Sequence, residues 1–255
     1  KKENKNPELL FHLGIAYLQS KRLDLATNFF RDTISIDQNH FKAYNNLGGI
    51  LLTLGEYEEA IKIYKKALTI KPDFSEAYSN LGACYHNLKQ YEESIVNYNE
   101  AIIFKPDNYD AYNNLGSSYK EINKNENAIY NFNKAIQINP EYLIAYNNLG
   151  NLFQEIERYD EAIKNYEKVI KLNPDYKYAI GKLLHTKMII SDWENYDENL
   201  SNLIKSLKKN NKTINPFPLL SLIDNPNYHK VNSEIYSKDK FIGKRKEQVK
   251  NKLIN

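Results

Sequence analysis

Tyr44-Asn-Asn-Leu-Gly48, Tyr78-Ser-Asn-Leu-Gly82, Tyr112-Asn-Asn-Leu-Gly116 and Tyr146-Asn-Asn-Leu-Gly150 are one phrase written four times, each copy 34 residues after the last. Gly14 stands one further period upstream. A fixed period of this length marks stacked supersecondary units, none of which can bury its apolar face without a neighbour. The expected fold is all-α, a solenoid of antiparallel helix pairs wound into a right-handed superhelix. Such a fold offers a long shared surface in place of a closed pocket, which favours binding over chemistry.

The rest of the repeat keeps the same register. Small residues recur at Ala26, Ala60, Ser94, Ala128 and Ala162, then rings at Phe30, Tyr64, Tyr98, Phe132 and Tyr166. A second slim set follows at Thr33, Ala67, Ala101, Ala135 and Val169. Large and small residues alternating at three- and four-residue spacings are what two facing helices need to interdigitate. Turns fall at Gly55, Lys89-Gln90, Asn123-Lys124 and Glu157-Arg158, and Pro72, Pro106, Pro140 and Pro174 close four units, where proline ends a helix without costing a buried hydrogen bond. First helices are therefore expected near 41–54, 75–88, 109–122 and 143–156, and second helices near 57–70, 91–104, 125–138 and 159–172.

This pattern closely resembles the tetratricopeptide repeat (TPR). Five units are expected within 1–174, at about 7–40, 41–74, 75–108, 109–142 and 143–174. A degenerate sixth, capping repeat occupies 175–210: the glycine becomes Leu184, the small residue becomes Tyr196, and Trp193 takes the aromatic opening of the second helix. Ser191-Asp192 are expected to cap that helix, which runs on through Leu200, Leu203, Ile204 and Leu207. Residues 211–255 read as a proline-punctuated helical linker toward a further C-terminal domain, with one helix from near Pro226 and a weaker one from about Lys240.

Ser191-Asp-Trp-Glu-Asn-Tyr-Asp197, Pro216-Phe-Pro-Leu-Leu220 and Asp224-Asn-Pro226 carry a narrower resemblance. They are similar to the connector between repeats and catalytic lobes in bacterial O-linked N-acetylglucosamine transferase-like (SPINDLY-like) proteins. That resemblance implies a substrate-recruiting arm of a UDP-N-acetylglucosamine-dependent protein glycosyltransferase, whose sugar-binding lobes would follow Asn255. A free-standing TPR adaptor that assembles other proteins is the alternative. A receptor for chaperone tails is disfavoured, because the positions that would carry its basic clamp read Lys42, Glu76, Asp110 and Ile144.

Composition narrows the classes further. The first 174 residues carry 20 Lys+Arg against 23 Asp+Glu, and the remainder 15 against 9. No basic stripe runs along the repeats, so nucleic acid is not an expected partner. The cluster Lys238, Lys240, Lys244, Arg245, Lys246, Lys250 and Lys252 reads as a solvated helix face. No apolar run is long enough for a membrane span and no secretory start is present, so a cytoplasmic, membrane-free protein is expected. Cys84 is the one cysteine and reads as a packed thiol. His12, His40, His86, His185 and His229 lack metal-ligand spacing, so no metal, cofactor or catalytic residue is expected. The chain starts at Lys1 and its one methionine is Met188, which reads as an excerpt of a longer protein.

The candidate binding residues lie two places before each glycine: Asn46, Asn80, Asn114 and Asn148, with His12 in the first unit. This position is expected to line the inside of the superhelix. In the transferase family asparagines here form a ladder that holds extended polypeptide by its backbone. A side-chain amide suits that task, since it offers a donor and an acceptor to a peptide group without selecting its side chain. The expected partner is thus a protein or peptide in extended conformation.

Overall fold

The computed structural model describes residues 6–209 and 211–238, all helices and connections, with no strand among them. Five antiparallel pairs open the chain: α1 Pro7–Gln19 with α2 Leu23–Ile36, α3 Phe41–Leu54 with α4 Tyr57–Ile70, α5 Ser75–Asn87 with α6 Tyr91–Phe104, α7 Tyr109–Glu121 with α8 Asn125–Ile138, and α9 Leu143–Glu155 with α10 Tyr159–Leu172. Then follow α11 Ala179–Ile189, α12 Tyr196–Lys208, α13 Pro216–Leu222 and a last helix, α14, over 226–238. The helices form two compact units, Lys1–Pro140 and Glu141–Asn255. The weaker helix expected from about Lys240, and the basic cluster beyond Lys238, lie outside the described residues.

The recurring glycine is explained by the ring facing it. A Cβ on Gly48 would sit 2.7 Å from the Tyr64 ring, and one on Gly150 would sit 2.8 Å from Tyr166. Gly14 meets Phe30, Gly82 meets Tyr98 and Gly116 meets Phe132 in the same way. Each ring is shut from solvent between its own pair of helices. Removing the Cβ lets the helices close onto the ring face.

A second device recurs at the turns. Lys21, Gly55, Lys89, Asn123, Glu157 and Ser191, all 34 residues apart, have φ of 58, 80, 62, 59, 60 and 56°. After each, an amide reaches back over the helix end: Arg22 N to Tyr17 O, Glu56 N to Leu51 O, Gln90 N to Tyr85 O, Lys124 N to Tyr119 O, Arg158 N to Phe153 O and Asp192 N to Lys187 O. This six-to-one bond with a left-handed residue is the Schellman closure, which satisfies carbonyls the helix leaves open.

Neighbouring pairs are tied by polar contacts as well as apolar packing. Tyr57 Oη donates to Asn87 Oδ1 at 3.4 Å, and Tyr91 Oη repeats the tie one unit on to Glu121 Oε2 at 3.3 Å. Ser94, where most units have Ala, is fully buried and donates to Gly82 O at 2.9 Å. Its hydroxyl lies 3.0 Å from Ser118 Oγ, which lies 3.0 Å from His86 Nδ1. Burial holds the His86 imidazole below its ordinary pKa, with Glu121 opposing weakly.

In the second unit the segment read as a sixth repeat departs from expectation. The helix after α11 starts at Tyr196, and Ser191-Asp192 do not cap it. Asp192 Oδ1 instead accepts from Glu194 N at 2.9 Å while Oδ2 pairs with Lys187 Nζ at 2.8 Å. That ammonium is almost wholly buried and also donates to Glu194 O at 3.2 Å. Its hydrogen bond holds the Asp192 carboxyl below the usual carboxylate range. The cation thus fixes 192–194 as an extra turn, and Trp193, expected to open the helix, stands 57% exposed.

The segment around Lys212 and Thr213 docks on the N-terminus of α11. Tyr178 N donates to Lys212 O at 2.6 Å and Gly181 N to Thr213 O at 3.2 Å. A Cβ on Gly181 would fall 2.5 Å from Ile214, so glycine is what lets this strand-like segment approach. Leu184, in the place of the repeat glycine, packs with Ile180, Leu203, Leu207, Ile214, Leu219 and Leu222. The helix expected from near Pro226 is present as α14.

Candidate functional site

Successive helical residues turn by about 100°, so an asparagine two places before the glycine projects roughly 200° from it. Since the glycine faces its partner helix, Asn46, Asn80, Asn114 and Asn148 lie on the side of α3, α5, α7 and α9 turned away from α4, α6, α8 and α10. All four are half-buried. In the first unit α3 packs directly on α5 and α5 on α7, which sets Asn46, Asn80 and Asn114 side by side on adjacent first helices. Asn148 is the equivalent residue in the second unit.

The rungs are partly tied to the protein itself. Asn80 Nδ2 donates to Asn45 Oδ1 of the preceding repeat at 3.2 Å. Asn113 Nδ2 donates to Asn114 Oδ1 at 3.2 Å, and Asn148 is engaged in a contact of its own. Asn46 makes no side-chain hydrogen bond among the described residues. The residues just before three of the four candidates (Asn45, Asn113 and Asn147, with Ser79 before Asn80) therefore take part in the same polar surface. Sequence reasoning treated these neighbours as background. The signal that could have found them is their own 34-residue recurrence.

Thirty-four residues after Asn148, α11 carries a cation, Lys182. Lys182 Nζ donates to Asn147 Oδ1 at 2.8 Å and to Asn151 Oδ1 at 2.7 Å, and lies 5.7 Å from the centre of the Tyr166 ring. The one proton of Tyr166 Oη is shared between Asn151 Oδ1 at 3.0 Å and Gln154 Oε1 at 2.9 Å. Sequence reasoning passed over Lys182, because the glycine that marks the register is lost at Leu184.

Burial pushes the Cys84 thiol up to about 12, far from a thiolate at neutral pH. Among the described residues no three His, Cys, Asp or Glu side chains are placed to hold a metal ion. No described helix is long and apolar enough to cross a membrane. His40 is structural: its Nδ1 accepts from Ala43 N at 3.1 Å as the N-cap of α3, and its Nε2 stands 3.6 Å from Glu8.

Models of the TPR repeat match residues 49–89 and 116–157, and models described as tetratricopeptide repeat match 7–40, 29–62, 75–108 and 144–176. Between them they cover most of residues 7–176. The chain is a tetratricopeptide repeat protein. Among solved structures, this TPR protein resembles MamA at 25% identity over 63% of its length and 94% of that chain, with a TM-score of 0.58. It also resembles Pseudomonas aeruginosa pilF at 20% identity over 89% and 97%, with a TM-score of 0.70. YrrB, described as a TPR protein with an unusual peptide-binding site, matches at 22% identity over 69% and 91%, with a TM-score of 0.56. No curated protein sequence matches the chain. The TPR assignment makes the chain a protein-interaction module.

Proposed function

We propose that this TPR protein is an adaptor that holds an extended polypeptide on the exposed face of its first helices, with Asn46, Asn80, Asn114 and Asn148 reading the peptide backbone. The observation that carries this reading is the half-buried amide in one register on successive first helices, beside a second polar row. An amide already bonded on one side keeps capacity on the other, since oxygen accepts twice and nitrogen donates twice. Asn80, bonded through one N–H to Asn45, is thereby oriented as well as available. YrrB's peptide-binding site belongs to a protein of the same fold and is consistent with this role.

The linker resemblance suggests a narrower reading, the recruiting arm of an O-linked N-acetylglucosamine transferase-like enzyme. The descriptions of MamA, pilF and YrrB name no glycosyltransferase, and the adaptor reading is the better supported of the two.

Titration of unfolded, neutral peptides tests the proposal. Each net hydrogen bond contributes about 0.5–1.5 kcal/mol against an association cost of roughly 4–15 kcal/mol, so binding is expected in the micromolar-to-millimolar range. Changing Asn46, Asn80 and Asn114 together to Ala should weaken it about a hundredfold, at about 1 kcal/mol per rung, with helicity unchanged. A triple variant that binds as the parent does would reduce the row to a solvated stripe.

A further inference from the structure

α1 leaves open a face that later first helices close. Leu9, Leu13 and Ala16 are exposed, Leu9 at 59% and Leu13 at 37%. With Ser20, the C-cap, they fall within roughly 60° of arc at about 100° per residue, so they form one stripe along α1. Thirty-four residues on, the same places are shut. Ala43, Ala77 and Ala111, and Ala179 in the second unit, are wholly buried. Leu47, Leu81, Leu115 and Leu183, the counterparts of Leu13, are exposed by 4% or less. The cover is the second helix of the preceding pair, since α3 packs on α2, α5 on α4, α7 on α6 and α11 on α10. A unit that closes a stack against water carries a polar outer face. The outer face of α1 is apolar.

Leu9 selects the cover. Helix pairs in this chain stack through alanine at its place, and a leucine there would overpack that contact. The stripe is therefore shaped for something other than a second helix at repeat spacing. Its sizes run large, large, small, small: Leu9, Leu13, Ala16, Ser20. Laid antiparallel on a copy of itself, it sets Leu9 over the partner's Ser20 and Leu13 over the partner's Ala16. The Ser20 hydroxyl already donates to Ala16 O at 2.9 Å, so covering it strands no donor. The antiparallel sense also brings the end bearing Glu8 alongside the partner's end bearing Lys21 and Arg22, and opposes the helix dipoles.

We propose that the α1 stripe is a self-association surface, through which two copies of the chain pair about a two-fold axis. The same patch serves both copies, so the pair closes on itself. A head-to-tail array would instead need a last second helix left open. α12 is covered, because Leu203 and Leu207 pack with Leu219 and Leu222 of α13. α1 has 13 residues, about 20 Å of helix, and offers less than the ~800 Å² per partner of a standard interface. The dimer is therefore weak, with a dissociation constant on the order of 100 μM.

Sedimentation equilibrium of the whole chain, over a concentration series spanning that constant, tests the pairing. The wild type should show a reversible monomer–dimer equilibrium with nothing larger. Leu9→Glu and Ala16→Glu should each weaken it at least about a hundredfold, because a two-fold interface carries every change twice. Both residues are exposed in the single chain, so circular dichroism should be unchanged. Val96→Glu, on the exposed face of α6, should leave the equilibrium as it is. Ala16→Leu separates packing from hydrophobicity: it adds apolar surface but fills the seat of the partner's Leu13, so it should weaken the dimer. A wild type that stays monomeric throughout overturns the proposal. Growth beyond the dimer overturns the closed pairing. A dimer that survives Leu9→Glu and Ala16→Glu but is lost in Val96→Glu puts the interface on α6 and overturns it too. A tighter dimer in Ala16→Leu overturns the large-on-small register.

Discussion

Two tyrosines in the same place in the repeat meet opposite fates. Tyr64 and Tyr166 both face their repeat glycine, but the hydroxyl of Tyr64 is buried with no hydrogen-bond partner among the described residues, while that of Tyr166 shares its proton between Asn151 and Gln154. The difference is one turn of the first helix: where the fifth unit has Asn151 and Gln154, the second has Gly49 and Leu52. An unmet buried polar group costs about 1–3 kcal/mol. Tyr64→Phe, which installs the residue found at Phe30 and Phe132, should therefore raise unfolding stability by about 1 kcal/mol. Tyr166→Phe should lower it by a similar amount, because Gln154 Oε1 loses its donor while Asn151 Oδ1 keeps Lys182. Urea titration of both variants decides it, and a loss in Tyr64→Phe would mean that its hydroxyl is satisfied in solution. His86 gives a pH prediction at the same scale. Burial favours its neutral form, so its contribution is fully present above the ordinary histidine pKa of about 6.5. It is lost as pH falls below that value toward the lowered folded one. Between pH 7.5 and 5.5 the wild type should lose more thermal stability than His86→Gln, and equal losses would place the imidazole in solvent.

At the scale of elements, the six Schellman turns use glycine once, at Gly55, and a lysine, asparagine, glutamate or serine at the rest. A left-handed backbone costs an L-residue about 1–2 kcal/mol, partly offset because glycine gives the unfolded chain more freedom. Lys89→Gly should thus stabilise by about 0.5 kcal/mol and Gly55→Ala should destabilise by about 1 kcal/mol, read from denaturant midpoints. The reverse signs would mean that the turn geometry is not shared. The helix bounds were legible in the sequence because glycine, ring and proline all recur, and the second helices of the second to fifth units fall at their expected limits. The start of α12 was not legible. Ser191-Asp192 have the composition of a cap, and only the three-dimensional placement of Lys187 diverts Asp192 to the turn. The candidate rungs were legible as positions, through their distance from the glycine. Their ties to Asn45 and Asn113 were not, since those bonds need atomic coordinates.

For the molecule as a whole, stability in a repeat array is close to a sum of unit and interface contributions, so the period itself can be tested. Deleting residues 71–104 removes 34 residues and joins Ile70 to Lys105, just as Ile70 is followed by Lys71 in the native chain. The cut retains Asn108, whose side chain accepts from Ala111 N at 3.0 Å to cap α7. Ser118 loses His86 and Ser94 but still donates to Asn114 O at 3.1 Å, so no buried hydroxyl is orphaned at the new junction. The shortened chain should fold with full repeat helicity, unfold at lower urea with a smaller m-value, and bind neutral peptide several-fold more weakly for its one missing rung. Deleting 71–100 instead leaves four extra residues, which rotate every later glycine away from its ring and should abolish cooperative unfolding. If both deletions behave alike in circular dichroism melts, the 34-residue period is not the unit of packing. If only the first one folds and its affinity is unchanged, Asn80 is not a rung, and the peptide face must lie elsewhere on the first helices.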